Sequence, residues 1–553
     1  MKRLSAFYSK RNLLIALFLV FVLLRLFVDF PTFLFGSDNY KWLETAKQFP
    51  YHKLYNDQMY LLHSPLYPYA IHIFDFFVPQ DYTAAMLVSF LSSVILFFVL
   101  YKFFMMLTDN FNLTFMVLVF YTLSVPLIIA STQVLMESFA IMLIMSALYY
   151  YVKGLKFNNH KSIVASSLFG GLVGITTDHT LFLFPAFVLS YLFFRNKKTS
   201  IAYAILPLIV TSLFFGSWIL VKYYQYSQYE YYPNGPGGTP IKTDDLSLLS
   251  ATYPGFFKDF SSSFDFPEGT VPTVKRLAFN FGYLFNLQPV PIPLGLNFSS
   301  MKYLLHPFHI AYMFLVYLPL ALIVSYGIFH LVFSFIRKRK IHNNGNLYVL
   351  GIFSIFIIPL FQASYISPRY LYISYITFYY LLALGLFLLL NKLGLSKKID
   401  KIIAVIAVLL LMLVPFWILN NPHFVFFNDV YPTSKNTIDY INKNIDSKAV
   451  LMGFQGYEVK LIYLTDNKLV GSYPDPAKLD YMIEYYNVSY YIFGYYYTYG
   501  QKSRYKLETV EYVKNNPDKF KLIATIQEDY SQFYDEEDPK RKDEVYIYKV
   551  IRN

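Results

Sequence analysis

Residues 1–27, MKRLSAFYSKRNLLIALFLVFVLLRLF, join a basic start to an apolar run that is long enough to cross a bilayer as a helix. The segment has the charged beginning of a signal peptide but no small-residue cleavage site after its apolar run. We therefore predict an uncleaved first membrane span with a cytoplasmic N-terminus.

Similar apolar runs recur along the chain as far as residue 420 and stop there. The 553 residues are 56% hydrophobic and only 15% charged, which is outside the usual range for a soluble domain. We predict a polytopic α-helical membrane protein with about eleven transmembrane helices. The predicted spans are 12–29, 83–107, 113–130, 132–152, 163–177, 180–194, 200–223, 308–336, 346–363, 370–391 and 401–420.

The basic residues between the spans indicate how the helices are oriented. Alternate loops, among them KGLKFNNHK, RNKK and RKRK, carry the Lys and Arg residues, and cytoplasmic loops retain such charge during insertion. This pattern puts two long loops, 30–82 and 224–307, on the outer face of a multi-pass plasma-membrane protein. The net charge of +12 is then loop charge, and no basic patch with interleaved aromatics predicts nucleic-acid binding.

The chain changes character after residue 420. Alternating apolar and polar stretches such as KAVLMGF, KLVGSY and EVYIYKV are separated by helical patterns such as TSKNTIDYINKNI. We predict a transmembrane domain over residues 1–420 and a soluble, extracytoplasmic α/β domain over residues 421–553. The chain contains no cysteine, which excludes a thiolate nucleophile and a cysteine-ligated metal.

An acid follows closely on the first span, in FLFGSDNYKW at residues 33–42. Asp38 precedes Tyr40, Trp42, Leu43 and Ala46, which fall at helical spacing. One interpretation is a helix N-cap, in which the carboxylate accepts hydrogen bonds from free backbone N–H groups. The other is a catalytic acid or base at the outer face of the membrane.

Three later outer corners also carry polar groups. Glu137 begins an apolar span in ASTQVLMESF, Asp178 and His179 form the turn of GITTDHT, and Arg369 with Tyr370 lies in SPRYLYISY. Each acid could be a helix-start residue favoured by the helix dipole. Carboxylates beside a cation also suit an anionic lipid headgroup and a hydroxyl that must lose a proton.

The order of these segments resembles that of the polytopic GT-C glycosyltransferases. Members that use polyprenyl-phosphate sugars include protein O-mannosyltransferases and the lipid A aminoarabinose transferase. GSDNYKWLETAKQF, HSPLYPYAIHIF, MESFAIMLIM, GGLVGITTDHT and SPRYLYISYITF follow one another as in that superfamily. Asn39 stands where relatives commonly have Glu, and Ser64, after His63, stands where they have Pro. Asp178 and His179 replace a Thr-Lys pair of many relatives.

The resemblance implies an inverting hexosyl- or pentosyltransferase that moves one sugar from a polyprenyl-phosphate donor to a hydroxyl acceptor on a protein, a glycolipid or a polysaccharide. Asp38 is then the base and Arg369, beside Tyr370, a phosphate contact, while Glu137 and Asp178 orient the acceptor or the sugar. The Trp-Trp-Asp-Tyr-Gly signature of oligosaccharyltransferases is absent from the sequence, which favours a single-sugar donor.

The substrate-binding set in this interpretation also includes His179, His63, Tyr40 and Trp42, with aromatic rings available to stack on a sugar. If a metal takes part, carboxylate ligands favour Mg²⁺ or Mn²⁺, but no compact ligand motif requires one.

Two other functions fit parts of the same pattern. A transporter or flippase of a lipid-linked glycan intermediate would also need polar residues near the bilayer, although the sequence has no internal repeat and no paired broken helices. A noncatalytic assembly factor for envelope glycans would use the C-terminal domain as a binding module, and Asp38 would then be dispensable.

Overall fold

The structure is a computed structural model. It describes residues 10–27, 36–49, 64–78, 81–177, 180–196, 200–226, 231–232, 241–242, 318–338, 344–357, 372–392, 435–453, 465, 467–471, 476–494, 504–528 and 544–552. We number the elements in chain order.

Thirteen helices precede residue 400 among the described residues. They are α1 (Lys10–Phe27), α2 (Gly36–Lys47), α3 (Leu66–Asp75), α4 (Asp81–Thr108), α5 (Phe111–Leu123), α6 (Val125–Thr132), α7 (Met136–Phe157), α8 (His160–Gly174), α9 (Thr180–Phe194), α10 (Ile201–Tyr226), α11 (Leu318–Lys338), α12 (Gly345–Phe356) and α13 (Tyr372–Lys392). Two short strands, β1 (Tyr231–Tyr232) and β2 (Ile241–Lys242), pair antiparallel between α10 and α11.

Five helices of the described part are long and apolar enough to cross a membrane: Tyr82–Thr108, Met136–Phe157, Ile201–Val221, Leu318–Arg337 and Ile373–Lys392. Shorter apolar helices cover Phe111–Leu123, Thr180–Phe194 and Gly345–Phe356. The predicted span 401–420 lies outside the described residues, so the count of eleven spans stays a prediction.

The predicted span 113–130 is interrupted at Ser124, where α5 ends and α6 begins. The Ser124 hydroxyl accepts a hydrogen bond from the backbone N–H of Leu127, and Pro126 occupies one of the first positions of the new helix. A proline there loses no helical hydrogen bond, because the first N–H groups of a helix have no intrahelical partner. The prediction of one continuous helix over 113–130 is therefore wrong.

The chain divides into two compact units. The first consists of Met1–Phe30, Met86–Leu220 and Leu248–Phe424, and the second of Pro31–Ala85, Val221–Ser247 and Val425–Asn553. The predicted domain boundary at residue 420 stays a prediction, and α2 and α3 are grouped with the second unit. The helices of the first unit form a bundle.

The second unit contains a five-stranded mixed sheet with strand order β4-β3-β5-β7-β6. β3 pairs parallel with β4 and β5, whereas β7 pairs antiparallel with β5 and β6. The strands are β3 (Val450–Gly453), β4 (Lys468–Gly471), β5 (Val488–Gly494), β6 (Phe520–Gln527) and β7 (Glu544–Val550), and the helices are α14 (Lys435–Asn444), α15 (Pro476–Tyr485) and α16 (Arg504–Asn515).

Alternating side chains of the sheet fill two cores, one on each face. Met452 and Tyr491 pack in a core that includes residues of α15 and α16, while the neighbouring Leu451 and Ile492 pack in a core with residues of α14. Successive residues of a strand point to opposite faces, so apolar residues at consecutive positions require helices on both sides. The extracytoplasmic location of these elements stays a prediction from the charged loops.

Candidate functional site

Asp38 lies in the first turn of α2, which begins at Gly36. Its backbone is therefore inside the helix, and Asp38 is a first-turn residue instead of the N-cap. The helix dipole also favours a carboxylate in the first turn. The later part of α2 is firmly packed, since Trp42, Leu43 and Ala46 are buried. The side chains of Asp38 and Tyr40 lie outside the described part.

The aromatic ring of Trp42 contacts that of Tyr67 edge to face, with 5.6 Å between ring centroids. Tyr67 is fully buried in α3, and Ser64 just before this helix is also buried. The contact joins the two segments of the predicted first outer loop that carry the family resemblance, GSDNYKW and SPLY. Trp42 thus anchors α2 on α3, and its stacking on a sugar stays a prediction.

A second contact strengthens the same pair of helices beyond the end of α2. The Phe49 ring stacks on the imidazole of His72 at 4.4 Å and meets the ring of Tyr69 at 5.0 Å. Desolvation by burial raises the pKa of the Tyr69 hydroxyl above its ordinary value. The helical pair therefore holds the backbone around Asp38 through aromatic contacts at two levels.

In the first unit, polar groups collect at one end of the helix bundle, which we call the polar end. Three hydrogen bonds connect the segment before α7 to α4, the end of α5 to α4, and the start of α13 to the end of α12. The hydroxyl of Ser89 donates to the carbonyl of Leu135 at 3.1 Å, and the hydroxyl of Tyr121 donates to the carbonyl of Ser93 at 3.1 Å. The hydroxyl of Ser374 donates to the carbonyl of Phe356 at 2.8 Å.

Glu137 is located in the first turn of α7 at the polar end and is half-buried. The corner just before it, which the sequence predicts as an outer turn, is enclosed by protein, with Ser131, Gln133 and Leu135 all buried. Among the described residues, the Gln133 amide oxygen has no hydrogen-bond partner. A buried acceptor of this kind is costly unless another group donates to it, which makes this corner a candidate for ligand contact.

The corner that contains Asp178 is also enclosed by protein, before and after this acid. Thr176, Thr177 and Thr180 are buried, and the Thr180 hydroxyl donates to the carbonyl of Thr177 at 2.5 Å. Asp178 and His179 lie outside the described residues, as do Arg369, Tyr370 and His63. The roles predicted for these five residues stay predictions.

Arg25 is a polar residue of the same end that the sequence analysis missed. It is 4% exposed, and its guanidinium lies 3.7 Å from the ring centroid of Phe21 and 5.3 Å from that of Tyr121. Its Nη1 donates to the carbonyls of Phe21 and Thr122, each at 3.4 Å. The signal was present in the sequence, because an ionisable residue inside an apolar span is by default a functional hypothesis.

The described residues contain no group of three or more His, Cys, Asp or Glu side chains that could hold a metal ion. The use of Mg²⁺ or Mn²⁺ therefore stays open. Asp38 belongs to the second unit and Glu137 to the first.

An ion pair in the sheet-containing part of the second unit has a structural explanation. Lys519 Nζ lies 2.6 Å from Asp480 Oδ2, and the Tyr512 hydroxyl donates to the same oxygen at 2.6 Å. Desolvation raises the pKa of Asp480, but the hydrogen bonds from Lys519 and Tyr512 outweigh it, so the pKa is lowered overall. The pair joins α15 to the segment after α16.

Solved structures provide the comparison that sequence cannot. The sequence matches no protein-family model and no curated protein. The structure, however, is similar to ArnT from Cupriavidus metallidurans in the apo state, with a TM-score of 0.54 and 12% identity over 98% of this chain and 99% of that one. The chain has the GT-C glycosyltransferase fold.

Two further structures share this fold. The archaeal oligosaccharyltransferase AglB from Archaeoglobus fulgidus, in complex with an inhibitory peptide and a dolichol-phosphate, matches with a TM-score of 0.53 and 13% identity over 92% of this chain and 71% of that one. Arabinofuranosyltransferase AftD from Mycobacteria matches with a TM-score of 0.51 and 12% identity, over 99% of this chain and 42% of that one. The GT-C fold and the apolar helices make this chain a polytopic integral membrane protein.

Proposed function

We propose that this GT-C chain is an inverting glycosyltransferase that moves a single sugar from a polyprenyl-phosphate donor to a hydroxyl acceptor at the outer face of the membrane. The observation that carries the proposal is the Trp42–Tyr67 contact. It packs the helix that begins with Asp38 against the segment that carries the second part of the first-loop resemblance. A rigid helical pair is the kind of support that a catalytic acid needs, because catalysis depends on fixed geometry.

Asp38 is the proposed general base. Its carboxylate takes the proton of the acceptor hydroxyl while the acceptor oxygen bonds to the anomeric carbon. The bond between that carbon and the phosphate oxygen breaks, and polyprenyl phosphate leaves with the electron pair. Attack opposite the leaving group inverts the anomeric configuration, and a positioned base contributes about 10²- to 10⁴-fold to such a step.

The other predicted residues have supporting roles in this proposal. Arg369 would stabilise the charge of the leaving phosphate, since developing charge is what such sites stabilise, with Tyr370 beside it. Glu137, in the first turn of α7, would orient the acceptor or the sugar together with Asp178 and His179.

A single sugar is the proposed cargo. The neighbour AglB is an oligosaccharyltransferase, but this sequence contains no adjacent tryptophans and therefore no Trp-Trp-Asp-Tyr-Gly signature. The acceptor class, whether protein, glycolipid or envelope polysaccharide, is open in the proposal. The outer location rests on the distribution of Lys and Arg between the loops.

The test is turnover of the purified full chain in liposomes that contain polyprenyl-phosphate sugars and a panel of hydroxyl acceptors. We expect Asp38→Asn to reduce donor consumption by about 10²- to 10⁴-fold, because the amide cannot accept the proton. The matched control is Glu44→Gln in the same helix, where Glu44 Oε1 accepts a hydrogen bond from Gln48 Nε2 at 3.2 Å. The control should retain wild-type turnover and wild-type thermal stability.

Several results would count against the proposal. Unchanged turnover in Asp38→Asn would remove Asp38 from the mechanism. Movement of the lipid-linked sugar across the bilayer without bond cleavage would favour the flippase. A reporter fused to the C-terminus and found in the cytoplasm would contradict the outer location.

A further inference from the structure

Arg25 uses only part of its hydrogen-bonding capacity among the described residues. Nη1 is the guanidinium nitrogen with acceptors, and both of its hydrogen bonds are 3.4 Å long, compared with about 2.9 Å for a typical N–H···O bond. Within the described part of the chain, Nε and Nη2 have no hydrogen-bond partner, and both are buried. The cation is thus enclosed but incompletely satisfied.

The two unused nitrogens have a specific geometry. Nε and Nη2 form one edge of the planar guanidinium, and their N–H groups point in parallel. This is the edge that binds two oxygens of a carboxylate or a phosphate at once. The rings of Phe21 and Tyr121 contact the cation, and stacking on a ring face leaves the in-plane edge available.

No acid among the described residues forms an ion pair with Arg25. A buried cation without a counter-charge is strongly unfavourable, and groups of this kind normally pair with an anion or acceptor. A second unused hydroxyl, Thr122 Oγ1, belongs to the residue whose carbonyl accepts from Arg25, and it too lacks a partner among the described residues. Within the described part of the chain, no oxygen-bearing anion balances Arg25.

The position of Arg25 favours a ligand that comes from the membrane. α1 is buried at Arg25, but its neighbouring residues Leu23 and Leu26 are 52% and 60% exposed. An apolar surface next to a cationic edge near the end of α1, which the sequence predicts as a membrane span, matches a molecule with an acyl or prenyl tail and an anionic head. Water-soluble anions would find no matching apolar surface.

From this geometry we infer that Arg25 is a binding residue for the phosphate group of a membrane lipid, held through Nε and Nη2. The two nitrogens donate to two phosphate oxygens, and Thr122 Oγ1 provides a further donor at the same site. The inference does not depend on sugar transfer, since an ordinary anionic phospholipid and a polyprenyl phosphate carry the same group.

The experiment measures lipid-induced stabilisation of the full chain in a neutral detergent. Wild type, Arg25→Met, Arg25→Lys and Asp29→Asn are each melted alone and with polyprenyl phosphate, phosphatidylglycerol, a neutral phosphatidylcholine or inorganic phosphate. Arg195→Met is the matched control, because Arg195 directly follows α9 and is exposed.

We expect the phosphate lipids to raise the melting temperature of wild type and of Arg195→Met. Arg25→Met should lose this response, with at least about a tenfold weaker affinity for polyprenyl phosphate, and should melt without lipid at or above the wild-type temperature because an unpaired charge is gone. Arg25→Lys should recover only part of the response, since an ammonium cannot donate from a planar edge.

Three outcomes would overturn the inference. The first is a lipid-induced rise in the melting temperature of Arg25→Met equal to that of wild type. The second is a rise for wild type with inorganic phosphate equal to its rise with the phosphate lipids. The third is that Asp29→Asn loses the lipid response and melts at a lower temperature, and that adding Arg25→Met to it restores the melting temperature. Asp29 would then be the counter-charge of Arg25. Asp38→Asn should lose turnover but keep the Arg25-dependent response, which separates this inference from the proposed function.

Discussion

Two long helices of the bundle, α11 and α13, approach each other closely at a pair of glycines. The distances there allow a quantitative prediction. A Cβ atom placed on Gly385 would lie 2.1 Å from the carbonyl oxygen of Ile323 and 2.9 Å from its carbonyl carbon. A Cβ on Gly327 would lie 3.0 Å from the carbonyl oxygen of Leu381. Since these atoms belong to backbone, rotation of a side chain cannot relieve the contact.

We predict that Gly385→Ala destabilises the protein by about 2 kcal/mol. Carbon contacts are most favourable at about 3.5–4.0 Å, so the helices would have to separate by more than about 1 Å at this point. Overpacking costs about 1–3 kcal/mol, and the upper value applies because two helix backbones must move. The greater helix propensity of Ala offsets about 1 kcal/mol of this destabilisation.

The measurement is denaturant unfolding in mixed micelles, followed by circular dichroism. Gly216→Ala in α10 is the matched control, because a Cβ at Gly216 would meet nothing within 4 Å. It should be neutral or more stable than wild type. If Gly385→Ala unfolds at the same denaturant concentration as Gly216→Ala, the close approach of α11 and α13 does not exist in the folded protein.

Other contacts give three further predictions. Tyr379→Phe removes the 2.6 Å hydrogen bond to the buried Ser124 hydroxyl and should cost about 1–3 kcal/mol in the same titration; an unchanged midpoint would contradict it. Trp42→Ala empties a buried site and should cost about 3–5 kcal/mol, while Trp42→Phe should cost less; equal stability of the two variants would show that the ring does not pack. The hydrogen bond from Lys519 lowers the pKa of Asp480, so its stabilising contribution is complete above about pH 4 and is lost as the pH falls through the lowered pKa. Wild type should therefore lose stability more steeply than Asp480→Asn as the pH falls below about 4, and parallel curves would refute this.

Much of the fold is visible in the sequence because the relevant signals are local. The predicted span 180–194 has the same bounds as α9, Thr180–Phe194, since charged and polar residues terminate the apolar run on both sides. The stretches KAVLMGF, KLVGSY and EVYIYKV contain β3, β4 and β7, because alternation with period two is readable in a few residues. The resemblance to the GT-C superfamily is confirmed at the level of the fold.

Other features depend on contacts between distant parts of the chain. Arg25 and Thr122 are separated by 97 positions, so the sequence shows a charge in an apolar run but not what surrounds it. The break at Ser124 had a local signal, Ser followed by Val and Pro, which the apolar residues on both sides obscured. The enclosure of Gln133 and Ser131 is likewise a product of helix packing, whereas loop position alone predicted only an outer corner.

The contrast between enclosed and outward-facing helices has a consequence for how the chain is made. Of the five long apolar helices, α7 has the lowest mean hydropathy and shares with α13 the greatest burial, whereas α10 and α11 are mostly exposed. A helix that other helices surround can carry residues such as Ser138 and Ser146, but it must first leave the translocon. We expect α7 to partition into lipid poorly by itself and to insert efficiently only once α8 and α9 have been synthesised, so its integration during translation should depend on the length of the nascent chain.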